Sequence, residues 1–424
     1  MPGAPAFSLL ALALAAPAAR AGPPAAPPTD LRSLSQGELH SAIAAAPDPS
    51  QTYELYLPSA FDPRRPWPLL LVFDPRSRGR LAAEIFVPAA ERWGWIVASS
   101  NDTMSDGPWD PNVRAVNAML PDLLARLPIE PRRIYAAGFS GGAMLAWAVG
   151  QGPAGLAGVI SVGGRPFDGF DREPPRFALW TAAGRGDFNF TPSLRLDELA
   201  ARGERAHRFE SFAGPHSWFT SAEAARAVAW LEIVAMGEGR RAADRGIAEA
   251  LYRDELALVA TRIGAGDRLA ARRTLAAVAS SYRGLLDVAA AEALASELER
   301  DPELEHERRD EAWGEGYEAT VARRVGEAVA LLRESPTPPP APRLRQTLQL
   351  PDLLRHAEGA GRRGEAGQRG VAQAFVQLAF YVPRELAARG DIAGARRALE
   401  LALELRPDDP FVRRRLEELG AGVR

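Results

Sequence analysis

Gly138-Phe139-Ser140-Gly141-Gly142 is the stretch of this sequence with the plainest chemical content. A serine hydroxyl becomes a useful nucleophile when a sharp turn from a strand into a helix lifts it clear of its neighbours. That turn crowds the residues two before and two after it. Glycines at 138 and 142 relieve the crowding, and the backbone N–H of Gly141, opening the helix, can face a developing oxyanion. Taken alone, the five residues read equally as a glycine-rich turn without chemistry, as in phosphate-binding loops. An acid and a base further along the chain decide between the two. Asp187, in Ala183-Gly184-Arg185-Gly186-Asp187, and His216, in Ala213-Gly214-Pro215-His216-Ser217-Trp218, each follow a strand-like run. Their order, serine then acid then histidine, lets loops after successive strands of one sheet carry a nucleophile, its orienting acid and its base. Of the five histidines, only His207 and His216 follow Ser140 before the strand pattern ends. His207 falls inside the alternating run Arg205 to Phe212, where a packing or surface role is expected. Asp168 and Asp171, after the preceding strand, stay open as substitutes for Asp187.

Such a trio has to be carried by strands whose ends converge. From about residue 50, short apolar runs alternate with amphipathic stretches, which predicts a parallel sheet flanked by helices. Gln51 to Leu57 alternates as a half-exposed strand. Trp67 to Phe73 is continuously apolar, as a strand buried on both faces must be. Leu81 to Trp93 and Val113 to Leu127 read as helices, Trp95 to Ser99 and Arg133 to Ala137 as strands. Leu156 to Val162, Phe177 to Ala182 and Ala206 to Phe212 supply three more strands. Thr220, with Glu223 three residues on, reads as the capping box of a closing helix.

Composition narrows the rest. At 424 residues the chain is too long for one core of ordinary size, so two or three domains are expected. A net charge of −3 gives no reason to expect a nucleic-acid partner. Cysteine is absent and every basic residue is arginine, which excludes disulfides, thiolate metal sites, a cysteine nucleophile and lysine chemistry. No metal or cofactor is called for. Residues 1–21 read as a signal peptide, with a short apolar stretch from Phe7 to Ala16 ending near Ala19-Arg20-Ala21. Export to the periplasm or the exterior of a bacterium is therefore expected, with a mature chain that lacks a transmembrane segment. Gly22 to Pro28 reads as an extended spacer within an N-terminal segment 22–49.

With these residues in view, 50–236 resembles a serine esterase of the α/β-hydrolase fold. The likeness is to bacterial phospholipase/carboxylesterases, feruloyl-esterase and polyhydroxybutyrate-depolymerase-like proteins, and the catalytic domains of prolyl oligopeptidases. It rests on YELYLPSAFDPRRPWPLLLVF, on IYAAGFSGGAMLAWA around Ser140 and on GPHSWF around His216. The resemblance implies that Ser140 attacks an acyl carbonyl, His216 shuttles the proton and Asp187 orients the imidazole, on a small-molecule ester or peptide substrate. One departure stands out: these esterases often carry His-Gly-Gly after the third strand, and this chain has Asp74-Pro75-Arg76. Proline has no N–H to give, so the Arg76 N–H becomes the expected second oxyanion donor beside Gly141. Loss of one such donor costs about 100-fold to 1000-fold in rate. Arg76, Arg78 and Arg80 read as a solvated cluster, with recognition of an acidic substrate group as the alternative, and Trp109 and Trp218 as either pocket walls or core. An inactive hydrolase domain that binds a partner is the competing reading of function.

Past residue 236 the strand pattern gives way to Ala, Leu, Arg and Glu at helical spacing, in a region 237–334, a Pro-rich linker 335–343 and a region 344–424. Gly390-Asp391-Ile392 through Leu405-Arg406-Pro407 resembles the second helix of a tetratricopeptide repeat, with a weaker echo at Gly266-Asp267 to Leu275. The resemblance implies a groove for a protein partner, with a plain helical bundle as the alternative. All catalytic candidates precede Gly237, so a chain ending there is expected to keep its turnover of small esters.

Overall fold

Successive strand side chains point to opposite faces, so a strand apolar at every position must have cover on both. Trp67–Phe73 is such a strand. Its Leu69, Leu71 and Phe73 enter one apolar cluster and its Leu70 and Val72 the other. The computed structural model describes residues 30–105, 107–165, 172–335 and 337–421. The expected signal segment, the spacer Gly22 to Pro28, and Asp168 and Asp171 lie outside the described residues.

The elements run β1 (Leu39–Ala45), β2 (Asp48–Tyr56), β3 (Trp67–Phe73), α1 (Gly79–Trp93), β4 (Ile96–Ser100), α2 (Asp110–Arg126), β5 (Ile129–Phe139) and α3 (Gly141–Gln151). They continue with β6 (Gly158–Val162), β7 (Ala178–Gly184), α4 (Phe190–Ala200), β8 (His207–Phe212) and α5 (Ser221–Gly237). The eight strands form one sheet in the order β1-β2-β4-β3-β5-β6-β7-β8. Pairing is parallel from β4 through β7 and antiparallel at β1-β2 and β2-β4. This is a doubly wound, mostly parallel sheet, as expected. Leu123 of α2 and Trp147 of α3 cover one face, and Phe86 of α1 and Trp230 of α5 cover the other. The capping box forms as expected, with Glu223 accepting from the Thr220 N–H at 2.6 Å.

Strand β1 differs from the expectation of a Pro-rich spacer and N-terminal segment over 22–49. Its residues LHSAIAA include few strong strand formers, Pro47 lies in the turn and Pro49 is the second residue of β2. Proline is tolerated at 49 because the pairing of β2 with β4 begins only at Tyr53.

Two compact units divide the chain discontinuously: Met1–Ala183, Pro192–Phe212 and Ser217–Leu298 form the first, and Gly184–Thr191, Ala213–His216 and Glu299–Arg424 the second. This cuts the chain differently from a boundary at 236. The first unit holds the sheet and also α6 (Arg245–Gly264), α7 (Arg268–Tyr282) and α8 (Ala289–Leu298). Ser281 of α7 accepts the Trp230 indole N–H at 2.9 Å. Buried Arg208 of β8 bonds Glu210 at 2.7 Å and Glu255 of α6 at 2.6 Å, and Glu210 also pairs with Arg262. Burial by itself pushes the Glu210 carboxyl up, but the charges of Arg208 and Arg262 outweigh it and bring it down to about 2.

The second unit adds α9 (Pro302–Glu334), α10 (Ala341–Leu348), α11 (Leu350–Ala357), α12 (Gly361–Val376), a π turn (Gln377–Tyr381), α13 (Val382–Ala388), α14 (Ile392–Leu405) and α15 (Pro410–Ala421). Val325, Leu344, Leu353, Phe375 and Leu399 share its apolar cluster. The region is all-helical, as expected. Its tetratricopeptide character is not shown: α9 alone runs 33 residues, and the two matching segments fall in different units. What those segments share is a capped helix start, Asp391 accepting from the Gly394 N–H at 2.8 Å and Asp267 from the Ala270 N–H at 3.3 Å.

Candidate active site

β5 runs into α3 through Ser140 alone, whose backbone stands at φ 53° and ψ −119°. A left-handed conformation is costly for any residue with a Cβ and persists only where the surroundings fix it. Here the Ser140 N–H donates to the Val162 carbonyl at the end of β6, 2.9 Å away. The approach is too close for side chains on either flank. A Cβ at position 138 would lie 2.1 Å from the Gly142 carbonyl oxygen, and one at 142 would lie 2.0 Å from that of Phe73. The motif's glycines therefore meet the steric demand argued from the sequence. Gly141 opens α3, so its N–H is among those with no acceptor inside the helix, at the positive end of the helix dipole.

Asp187 and His216 meet within the second unit. Asp187 is fully buried, and its Oδ1 lies 2.7 Å from His216 Nδ1 and accepts the Asn189 N–H at 2.7 Å. A carboxylate only accepts, so this contact puts the proton on Nδ1 and makes Nε2 the lone-pair nitrogen of the neutral ring. Among the described residues, buried Asp187 Oδ2 has no hydrogen-bond partner. The Phe188 ring lies 4.3 Å from the imidazole, centroid to centroid. The two loops touch backbone to backbone: a Cβ at Gly184 would fall 2.4 Å from the Gly214 carbonyl oxygen, and the Gly186 N–H donates to that same oxygen at 2.9 Å. Ser140 belongs to the first unit. His207, the other candidate base, lies on β8 with Nδ1 2.8 Å from Asp197 Oδ1.

Arg76 departs from its expected role. Its N–H donates to Asp74 Oδ1 at 2.9 Å, because the buried carboxylate folds the loop after β3 back on itself. Asp74 is the organising residue that the sequence reading missed. It pairs with Arg78 through Nε and Nη2 at 2.9 Å each, and it accepts the Trp218 indole N–H at 2.8 Å. The signal was present as an acidic residue directly after a wholly buried strand, with arginine four places on. Trp218 is engaged accordingly, its ring against Phe86, Phe139 and Phe219. Trp109 stands at the start of α2, packed against the apolar cluster. Arg80 pairs with Glu84 at 2.9 Å.

Among the described residues no group of three or more His, Asp or Glu side chains could hold a metal ion, and no helix is long and apolar enough to cross a membrane. No family model matches the chain, and no curated protein matches its sequence. Solved structures similar to it include a thermostable esterase, at 16% identity and a TM-score of 0.35 over 42% of this chain and 55% of that one. A ferulic acid esterase gives 13% and 0.37 over 46% and 95%. The native esterase Est2 of the planctomycete Thermogutta terrifontis gives 15% and 0.37 over 47% and 92%. The chain thus spans about half the length of the first of these. Likenesses at these scores carry no argument about activity or substrate.

Proposed function

We propose that the chain is a serine hydrolase that cleaves carboxylic esters through an acyl-enzyme on Ser140. The observation that carries this reading is the strained Ser140 backbone, held by close approaches that only glycine permits. Strain of this kind is retained where it serves chemistry. The 2.7 Å contact between His216 and Asp187 supports it with an oriented base. In the proposed cycle Ser140 Oγ attacks the acyl carbonyl while His216 Nε2 takes its proton, and the Gly141 N–H faces the oxyanion. The alcohol leaves with the proton from His216. Water, deprotonated by the same nitrogen, then attacks the acyl-enzyme, releasing the acid and restoring Ser140. Asp187 keeps Nδ1–H aligned throughout. A fluorophosphonate probe should label wild-type protein at Ser140 and fail to label Ser140→Ala, with aryl-ester turnover lost in the same variant.

A second reading, a partner-binding protein with an inactive hydrolase unit, draws on the Arg76 N–H being already bonded to Asp74. A well-folded chain that neither takes the probe nor turns over ester or peptide substrates decides for it. Peptide-bond cleavage uses the same residues, and a panel of both substrate classes separates the two activities. We further propose export, with the mature chain beginning at Gly22, which N-terminal sequencing of exported material tests.

A further inference from the structure

Asp187 sits three residues beyond β7 on a loop that borders a hollow of about 610 Å³, whose lining includes Arg185, Gly186, Pro215 and Gln368. A loop beside open space keeps its shape through a few specific bonds; some lie within the loop or reach Gly214, and α12 supplies others. Glu365 pairs with the Arg185 side chain at 3.2 Å. One turn later Arg369 donates through Nη1 to the Arg185 carbonyl at 2.9 Å, and its guanidinium lies 4.6 Å from the centroid of the Phe190 ring. Residues four apart share a helix face, and the two contacts of Arg369 bracket Asp187. Arg369 is only 5% exposed. A guanidinium so buried needs a charge partner, and Glu318 of α9, also buried, accepts from its Nε at 2.6 Å. That pairing satisfies the charge. Nη1 and the ring contact are directed at the loop.

We propose that Arg369 is a positioning residue that fixes the loop Gly184–Thr191 so that Asp187 Oδ1 meets His216 Nδ1. Its catalytic consequence rests on the triad reading above. By this inference the helical C-terminal region belongs to the catalytic apparatus through α12.

The test uses the full chain. Arg369→Lys keeps the cation and its pairing with Glu318 but cannot span both the carboxylate and the Arg185 carbonyl. It should lower kcat for an aryl ester by about 10-fold to 100-fold at nearly unchanged KM, the scale set by small misplacements of reacting groups. A second readout needs no turnover. The hydrogen-bonded Nδ1 proton of His216, resolved at low field in the proton NMR spectrum of wild type and absent from His216→Ala, should broaden or vanish in Arg369→Lys. Arg363→Ala, which removes an exposed pairing of the same two helices with Asp310, should leave both readouts at wild type. The double variant Arg369→Met with Glu318→Gln removes both charges together and serves if the lysine variant does not fold. A folded variant with wild-type kcat and an intact low-field proton overturns the positioning role while leaving the hydrolase reading standing. Loss of the proton in a chain whose wild type takes neither probe nor substrate sinks the hydrolase reading and leaves the positioning role standing.

Discussion

Replacing Asp74 with alanine measures how much the loop after β3 depends on one carboxylate. Five donor groups are affected: the Trp218 indole N–H, the backbone N–H groups of Arg76 and Arg78, and Nε and Nη2 of Arg78. The Arg78 side chain is 41% exposed, so water replaces most of that contact and its share stays below about 1 kcal/mol. The indole N–H loses its acceptor, at about 1–3 kcal/mol, and the two loop N–H groups, the longer at 3.3 Å, together add about 1 kcal/mol. The sum is a destabilisation of about 3 kcal/mol for Asp74→Ala. Asp74→Asn keeps one oxygen acceptor but places an NH2 group toward a donor, and should cost about half as much. Urea unfolding at pH 7 followed by tryptophan fluorescence gives both numbers. A double-mutant cycle with Trp218→Phe should return a coupling of about 1–2 kcal/mol. Trp218 follows His216 by two residues, so ester turnover should fall as well, in conditions where the variant is still folded. An Asp74→Ala protein within about 0.5 kcal/mol of wild type, or a coupling near zero, would refute the reasoning.

His216→Ala should remove nearly all ester turnover and His207→Ala little, because His207 is engaged with Asp197 on β8; equal losses in two folded variants would count against the assignment. A chain ending at Gly237, which on sequence grounds should keep its turnover, is now expected to lose it. It strips Glu255 and Arg262 from the buried Arg208 and Glu210, and it lacks α12; a soluble, folded truncation with full turnover would contradict this. Glu210 is held at about 2 against an ordinary 4.5, so its contribution to stability is complete above pH 4.5 and fades as pH falls toward 2. Glu210→Gln should therefore cost about 3–5 kcal/mol at pH 7, with the gap to wild type closing in acid; a gap that is constant with pH would rule out the charge as its source.

What could be read in the sequence was local. The elbow is legible because its steric rule involves only residues two before and two after Ser140. The separation of His216 from His207 follows from alternation within one short strand. Strand β1 was not legible because an edge strand needs few strong formers, and the prolines at the turn and the start of β2 mask the hairpin. Asp74 was noticed only as a departure from a family pattern, since its partner Trp218 lies 144 positions away. Glu365 and Arg369 look like the charged residues of any surface helix. Nothing near them in the chain indicates that they reach Arg185, whose carbonyl is 184 positions away from Arg369.

That long reach sets an order of events during synthesis. Ser140 and its turn are made early, while the residues that brace the acid loop, Glu365 and Arg369, come more than 220 positions after it, on the order of ten seconds or more at ordinary translation rates. On the proposed role for α12, a ribosome-bound or partly emerged chain carries its nucleophile without a braced acid loop. The growing polypeptide thus reaches its full activity only after α12 has arrived.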